Sequence, residues 1–225
     1  MGFSNEWNDR YASQTHLSIW PWSDLVSYVM RYARPRGEGF KVLEVGCGAG
    51  ANIPFFKTLG VEYYAIDGSE VIIHKLKENF PELSERLAVG DFTKHIPFSE
   101  EFDLIVDRSS ITHNSTESIQ ECLSMLHSKL KTNGKLIGID WFSTKHSDYS
   151  KGTTIIDEYT RAGYSEGQFA HVGRVHFSDK KHLMELFRNF EVQILEHKEI
   201  SRELPVDFHI FASWNVVIEK KDHKE

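Results

Sequence analysis

Five short apolar runs each close on a carboxylate: Glu44, Asp67, Asp91, Asp107 and Asp140. Straight after the first comes Val45-Gly46-Cys47-Gly48-Ala49-Gly50, with three glycines at alternate positions. Residues without Cβ let the backbone turn sharply and let a ligand lie against it. A helix following such a loop aims its free N–H groups at that ligand. Strand, glycine turn and helix together read as a nucleotide-type binding loop, whereas a plain strand-to-helix turn needs one glycine, not three. An acid closing the next strand, here Asp67, accepts both hydroxyls of a ribose in a bidentate way. Solvation of strand ends explains any one of these acids but not five in succession. The remaining group placed for chemistry is His113, in Asp107-Arg108-Ser109-Ser110-Ile111-Thr112-His113. An imidazole titrates near neutrality and is suited to take a proton. Its competing role is packing, or capping the helix that starts near Ser115.

The elements that must hold these residues follow from hydrophobic spacing. Strands are expected at 40–45, 61–66, 86–89, 102–106 and 135–139, and helices at 24–34, 51–59, 69–79 and 115–130. The last helix places Ile119, Cys122, Leu123, Leu126 and Leu130 on one face. Strands alternating with helices imply a parallel sheet covered on both faces, with ligands at the carboxyl ends of its strands. After Asp140 the rhythm stops. Residues 141–178 lack strong periodicity but carry many His, Tyr, Gly and Ser, as expected of a lid or insertion. Tyr149, His171, Arg174 and His176 are its candidate contacts to a second substrate. A helix over 179–187 and strands over 190–197 and 208–218 follow, the strands expected as an antiparallel pair at the sheet edge. The first 22 residues are rich in aromatics, with Trp7 and Tyr11 spaced to share a helix face. They form either a cap on the core or a lid over a ligand.

The composition narrows the classes. At 225 residues and 40% hydrophobic content, one domain with a full core is expected. No stretch approaches the roughly 20 apolar residues of a membrane span, and the N-terminus lacks a basic-then-apolar signal pattern, so a cytoplasmic protein is expected. A net charge of −7 argues against a large nucleic-acid footprint. Cys47 and Cys122 make neither a disulfide framework nor a metal cluster. His146 and Asp148 stand among twelve scattered histidines without close ligand pairs, and such histidines are expected to be mostly surface residues, with no metal. The oligomeric state is left open.

The order and spacing of these motifs resemble the class I S-adenosylmethionine-dependent methyltransferases. Glu44-Val45-Gly46-Cys47-Gly48-Ala49-Gly50 resembles that family's E/D-x-G-x-G-x-G motif. Asp67-Gly68-Ser69 is similar to its ribose-binding acidic motif, and Gly90-Asp91-Phe92 to the motif whose acid takes the adenine amino group. Phe102 to Asp107 resembles the strand facing the reacting methyl. Leu130-Lys131-Thr132-Asn133-Gly134 is like the family's "LkpgG" turn, and Phe169 to Phe177 resembles its "G-x-x-HF-S" stretch. The likeness covers roughly 40–140. It implies an α/β fold: a Rossmann-like three-layer sandwich with a seven-stranded, mostly parallel sheet whose last strand is antiparallel. It implies S-adenosyl-L-methionine as cofactor, held by Glu44, Gly46, Cys47, Gly48, Asp67, Gly68, Ser69, Asp91, Phe92 and Asp107. Trp7 and Tyr11 match an aromatic segment that folds over the cofactor's methionine end.

On this resemblance the chain divides into an N-terminal helical cap (1–39), a cofactor-binding core (40–140), an acceptor-site insertion (141–178) and a C-terminal helix and strand pair (179–219). His113 and Asp107 are the expected catalytic residues. The Asn/Asp-Pro-Pro-Tyr of nucleobase-methylating members is missing after Asp107. Trp141 stands where metal-dependent catechol-type members have Asn, which again argues against a metal. A small-molecule acceptor methylated on O or N is the reading that remains. A nicotinamide-dependent oxidoreductase fits less well, because Glu44 precedes the glycines and Gly90-Asp91-Phe92 follows the third strand. A cofactor-binding scaffold without turnover is the other alternative, since fold does not prove activity.

Overall fold

The computed structural model describes Glu6 and residues 18–221. Helix α1 (Ser23–Tyr28) widens into a π turn at Val29–Ala33 and stops at Arg34, whose φ is 50°. The alternating core follows: β1 (Lys41–Val45), α2 (Ile53–Thr58), β2 (Glu62–Asp67), α3 (Glu70–Asn79), β3 (Leu87–Val89), β4 (Phe102–Arg108), α4 (Thr116–Lys129) and β5 (Leu130–Phe142). Ser69 and Ser115 cap α3 and α4, each accepting a backbone N–H three residues on. The chain closes with α5 (Lys180–Leu186), capped by Asp179, and two long strands, β9 (Phe190–Ser201) and β10 (Ile210–Lys220).

These strands form one seven-stranded sheet in the order β3-β2-β1-β4-β5-β10-β9. Neighbours β1 to β5 pair in parallel, while β10 runs antiparallel to both β5 and β9. Six strands therefore share one direction and the last in sequence opposes them. Side chains alternate across each strand. Leu43, Val45, Ile105 and Leu136 pack toward Ile119, Leu123 and Leu126 of α4 and Leu183 of α5. Val42, Leu104, Val106 and Ile137 pack toward Leu25, Phe56, Ile72 and Leu76 of α1, α2 and α3. Both faces are covered, which is why the strands are apolar throughout. β1 has β2 on one side and β4 on the other. The crossover from β1 runs outward to β2 and that from β4 runs the other way to β5, and a crevice opens beyond the carboxyl ends of β1 and β4.

Two regions differ from the sequence expectation. β5 does not end at Asp140 but runs on through Trp141 and Phe142. Asp140 sits inside it at φ 56°, its carboxylate neutralised by Lys198 at 2.5 Å and Arg108 at 2.9 Å. The Asn133-Gly134 turn is absorbed within β5, as a register shift between the Phe102–Leu130 and Leu104–Lys135 pairs. The span 141–178 also has more order than its pattern announces. It holds a small antiparallel sheet of β6 (Thr154–Ile155), β7 (Thr160–Ala162) and β8 (Val175–His176). Its own core joins Phe142, Tyr164, Phe169, Val172, Val175 and Phe177.

Candidate active site

A cavity of about 240 Å³ opens at the carboxyl end of β1, between the glycine loop and the ends of β2, β3 and β4. Glu44, Gly46, Cys47 and Gly48 line it from the loop, Asp67 and Gly68 from β2, and Asp91 and Phe92 after β3. His113 lines it from the turn after β4. Ser69 and Asp107 do not: both are fully buried beside it. Trp7 and Tyr11 fall outside the described residues.

The loop's shape follows from its glycines. Gly46 (φ 67°) and Gly48 (φ 50°) both adopt the left-handed region. A Cβ on Gly46 would stand 2.2 Å from Ser110 Cβ, so the loop and the turn after β4 fit together only with glycine there. Gly48 N–H donates to Asp67 Oδ2 at 2.9 Å, and Ser69 N–H donates to Asp67 Oδ1 at 2.9 Å. One carboxylate thus joins the glycine loop to the start of α3 and keeps lone pairs facing the cavity. Burial raises its pKa, and the two N–H donors oppose that rise. Ser69 serves as the cap of α3.

Glu44 is deeper. Asn52 Nδ2 donates to its Oε1 at 2.8 Å and Tyr63 OH to its Oε2 at 2.5 Å. Burial pushes its pKa up to about 7. Asp91 accepts from Thr93 N–H at 2.9 Å and from Thr93 Oγ1 at 2.6 Å. Three carboxylates therefore face this cavity. The guanidinium on its wall, Arg108, is already paired to Asp140 and lies 3.6 Å from the centroid of the Trp22 ring.

Asp107 organises the turn rather than facing the cavity. Its Oδ1 accepts the N–H groups of Ser110 (3.0 Å) and Ile111 (3.1 Å), and its Oδ2 accepts Trp141 Nε1–H (2.7 Å). The Ser110 hydroxyl lies against both Asp107 and the carbonyl of Val45 (2.7 Å). Burial pushes the Asp107 pKa up to about 6. These bonds hold Ser109 at φ 58° and set the short 3₁₀ turn Ile111–His113. At its end His113 Nδ1 lies 2.9 Å from the carbonyl of Arg174. A carbonyl only accepts, so Nδ1 carries the proton and Nε2 is the basic nitrogen of the neutral ring.

Of the candidates in 141–178, Arg174 meets the site through this carbonyl. Tyr149, His171, Arg174 and His176 do not line the cavity. His176 is buried, bonded to Thr160 Oγ1 and to His182 Nε2. Among the described histidines, His146, His176 and His182 are buried. Sequence reasoning missed Asn52, Tyr63, Trp22 and Arg108 as parts of the site. Trp22 carried a signal, as the last member of the aromatic N-terminal stretch. Asn52 and Tyr63 carried none, because their partner Glu44 lies in another element.

The stretch 42–134 matches the family model described as a methyltransferase domain. No curated protein sequence matches the chain. Among solved structures, it is similar to a SAM-dependent methyltransferase from Methanosarcina mazei, at TM-score 0.67 and 16% identity over 89% of this chain and 98% of that one. It is similar to a Burkholderia thailandensis 1,6-didemethyltoxoflavin-N1-methyltransferase with bound S-adenosylhomocysteine, at TM-score 0.66 and 16% identity over 97% and 85%. It is also similar to an amino pentose methyltransferase from Micromonospora echinaspora, at TM-score 0.58 and 16% identity over 96% and 92%. The glycine loop and strand-end acids lie inside the stretch that matches a methyltransferase domain, and the chain has the fold of SAM-dependent methyltransferases.

Proposed function

We propose that the chain is an S-adenosylmethionine-dependent methyltransferase acting on an oxygen or nitrogen of a small molecule, with His113 as general base and Asp107 as the residue that positions it. The observation that carries this is the His113 tautomer: Nδ1 is occupied by the Arg174 carbonyl, and the ring lines the cavity. S-adenosylmethionine, when bound, supplies an electrophilic methyl on a sulfonium.

The residues fit that group. Gly46 and Gly48 keep the loop free of side chains where a ligand must approach. Asp67 holds two N–H donors and retains acceptor capacity for ribose hydroxyls. Asp91 stands after β3 for an exocyclic amine. Glu44, Asp67 and Asp91 make the walls acidic, which suits a cation and opposes the pyrophosphate of a dinucleotide. Asp107 fixes the turn, Ser110 locks it to β1, and His113 would take the proton lost by the acceptor, S-adenosylhomocysteine being the leaving group of the transfer. The small-molecule acceptors named for the Burkholderia and Micromonospora proteins support the acceptor class.

Thermal shift with S-adenosylhomocysteine and with NAD tests the cofactor, since the true ligand stabilises by mass action. Labelled methyl transfer into a metabolite extract tests the acceptor. Label entering protein or nucleic acid instead overturns the small-molecule reading.

A further inference from the structure

Away from the cofactor cavity, His146, Asp148 and His209 bring their ligand atoms within 4.8 Å of one another. Two are buried, His146 at 3% and Asp148 at 0% exposure. Both carboxylate oxygens of Asp148 are buried without a hydrogen-bond donor, and His146 Nε2 is buried without a partner. Gln168 approaches the His146 ring without meeting hydrogen-bond geometry. Lys151 Nζ stands 2.8 Å from Asp148 Oδ1 and His209 Nε2 stands 3.4 Å from it, both out of hydrogen-bond alignment. Asp148 Oδ1 is ion-paired, but its buried Oδ2 has no partner beside a buried imidazole nitrogen without a hydrogen bond, which costs stability unless something binds there.

We propose that these three side chains form a binding site for a divalent transition ion of the zinc class. Two imidazoles and one carboxylate are the donor set such an ion takes, with a fourth position left for water. Calcium and magnesium prefer all-oxygen cages. The Asp148 N–H donates to His146 Nδ1 at 3.0 Å, so the neutral ring carries its proton on Nε2, where no acceptor waits. Coordination through Nε2 moves that proton to Nδ1, where it would face the Asp148 N–H, so the ring must turn off that donor as the ion binds. It gives up one hydrogen bond and satisfies the orphaned nitrogen and carboxylate together. Tetrahedral bonds of about 2.0–2.2 Å set ligand atoms roughly 3.4 Å apart, so the cluster closes slightly on the ion. His209 is the ligand free to move, being 35% exposed at the start of β10. Lys151 holds the carboxylate from an exposed stem and is the cation displaced.

The ion would clip the segment after β5 to the connection between β9 and β10. That connection carries Leu204 and Phe208 at 88% and 91% exposure. Hydrogen bonds between Ser147 and Ile210 already link the two segments. The clip is independent of the cofactor reading, because none of its ligands lines the cavity.

The test is calorimetric titration of zinc(II) into the metal-free full chain, with cobalt(II) absorption reporting geometry. One equivalent should bind, with the intense visible bands of a tetrahedral cobalt site. His209→Ala should weaken binding by roughly tenfold or more, Lys151→Ala should tighten it, and exposed His74→Ala should leave it unchanged. Asp148→Asn should abolish it; where that variant fails to fold, His209→Ala decides. No stoichiometric binding, or equal affinity in wild type and His209→Ala, overturns the site. Stabilisation by S-adenosylhomocysteine, measured on the same samples, reports the cofactor reading separately.

Discussion

Asp67→Ala separates the two tasks of one carboxylate. In the wild type it accepts Gly48 N–H and Ser69 N–H, both at 2.9 Å. Alanine leaves these donors at the cavity wall; each bond to a charged group is worth about 1.5–3 kcal/mol, or roughly 3–6 kcal/mol of folding stability together. Water entering from the cavity compensates in part, so the lower half of that range is expected. Ribose hydroxyls donating to a carboxylate lose about 1.5–3 kcal/mol when it is removed, equal to a roughly 10- to 150-fold rise in Kd. Calorimetry with S-adenosylhomocysteine reads the second quantity and urea denaturation the first. Asp67→Asn keeps one acceptor oxygen and should fall between wild type and alanine in both. An alanine variant that loses stability but binds S-adenosylhomocysteine with unchanged Kd would refute the argument, placing the ribose elsewhere and leaving Asp67 a brace for the glycine loop.

His113→Ala should lower kcat by roughly 100- to 10,000-fold on an oxygen acceptor with S-adenosylhomocysteine affinity unchanged; parallel loss of both would make the ring structural. Glu44→Gln tests the buried charge. Its folded pKa of about 7 lies above the unfolded value of about 4.3, so folding takes up a proton between those limits. Stability from this group is complete below about pH 4 and is lost as pH rises through about 7. Glutamine, which keeps the Asn52 and Tyr63 contacts, should therefore gain stability relative to wild type across that window in urea denaturation; parallel pH curves would refute it.

The parts of the site legible in the sequence are those written as punctuation. A glycine or an acid at the end of an apolar run stands out because the run stops there. Gly46, Gly48, Asp67 and Asp91 therefore come straight from the pattern. Asp140 shows the limit of that logic. Its carboxylate marks no strand end, because Lys198 and Arg108, distant in sequence, neutralise it and let β5 continue. Asp107 and Ser69 share the same signal as Asp67 but turn inward to satisfy backbone donors. Residue type alone does not say which way an acid faces. The strands of 154–176 span two or three residues each, too few for a period to emerge. The cluster of His146, Asp148 and His209 draws on segments some sixty residues apart, and no local spacing announces it.

The contact between His113 and the insertion is made to a main-chain carbonyl, that of Arg174. Every residue type carries that carbonyl, so side-chain substitutions along 141–178 do not alter which nitrogen of His113 holds its proton. Insertions or deletions near 174 are different, because they move the carbonyl itself. Under the proposed chemistry, relatives of this chain are then free to diverge in acceptor preference by exchanging side chains, while the length of the segment leading into β8 stays constrained.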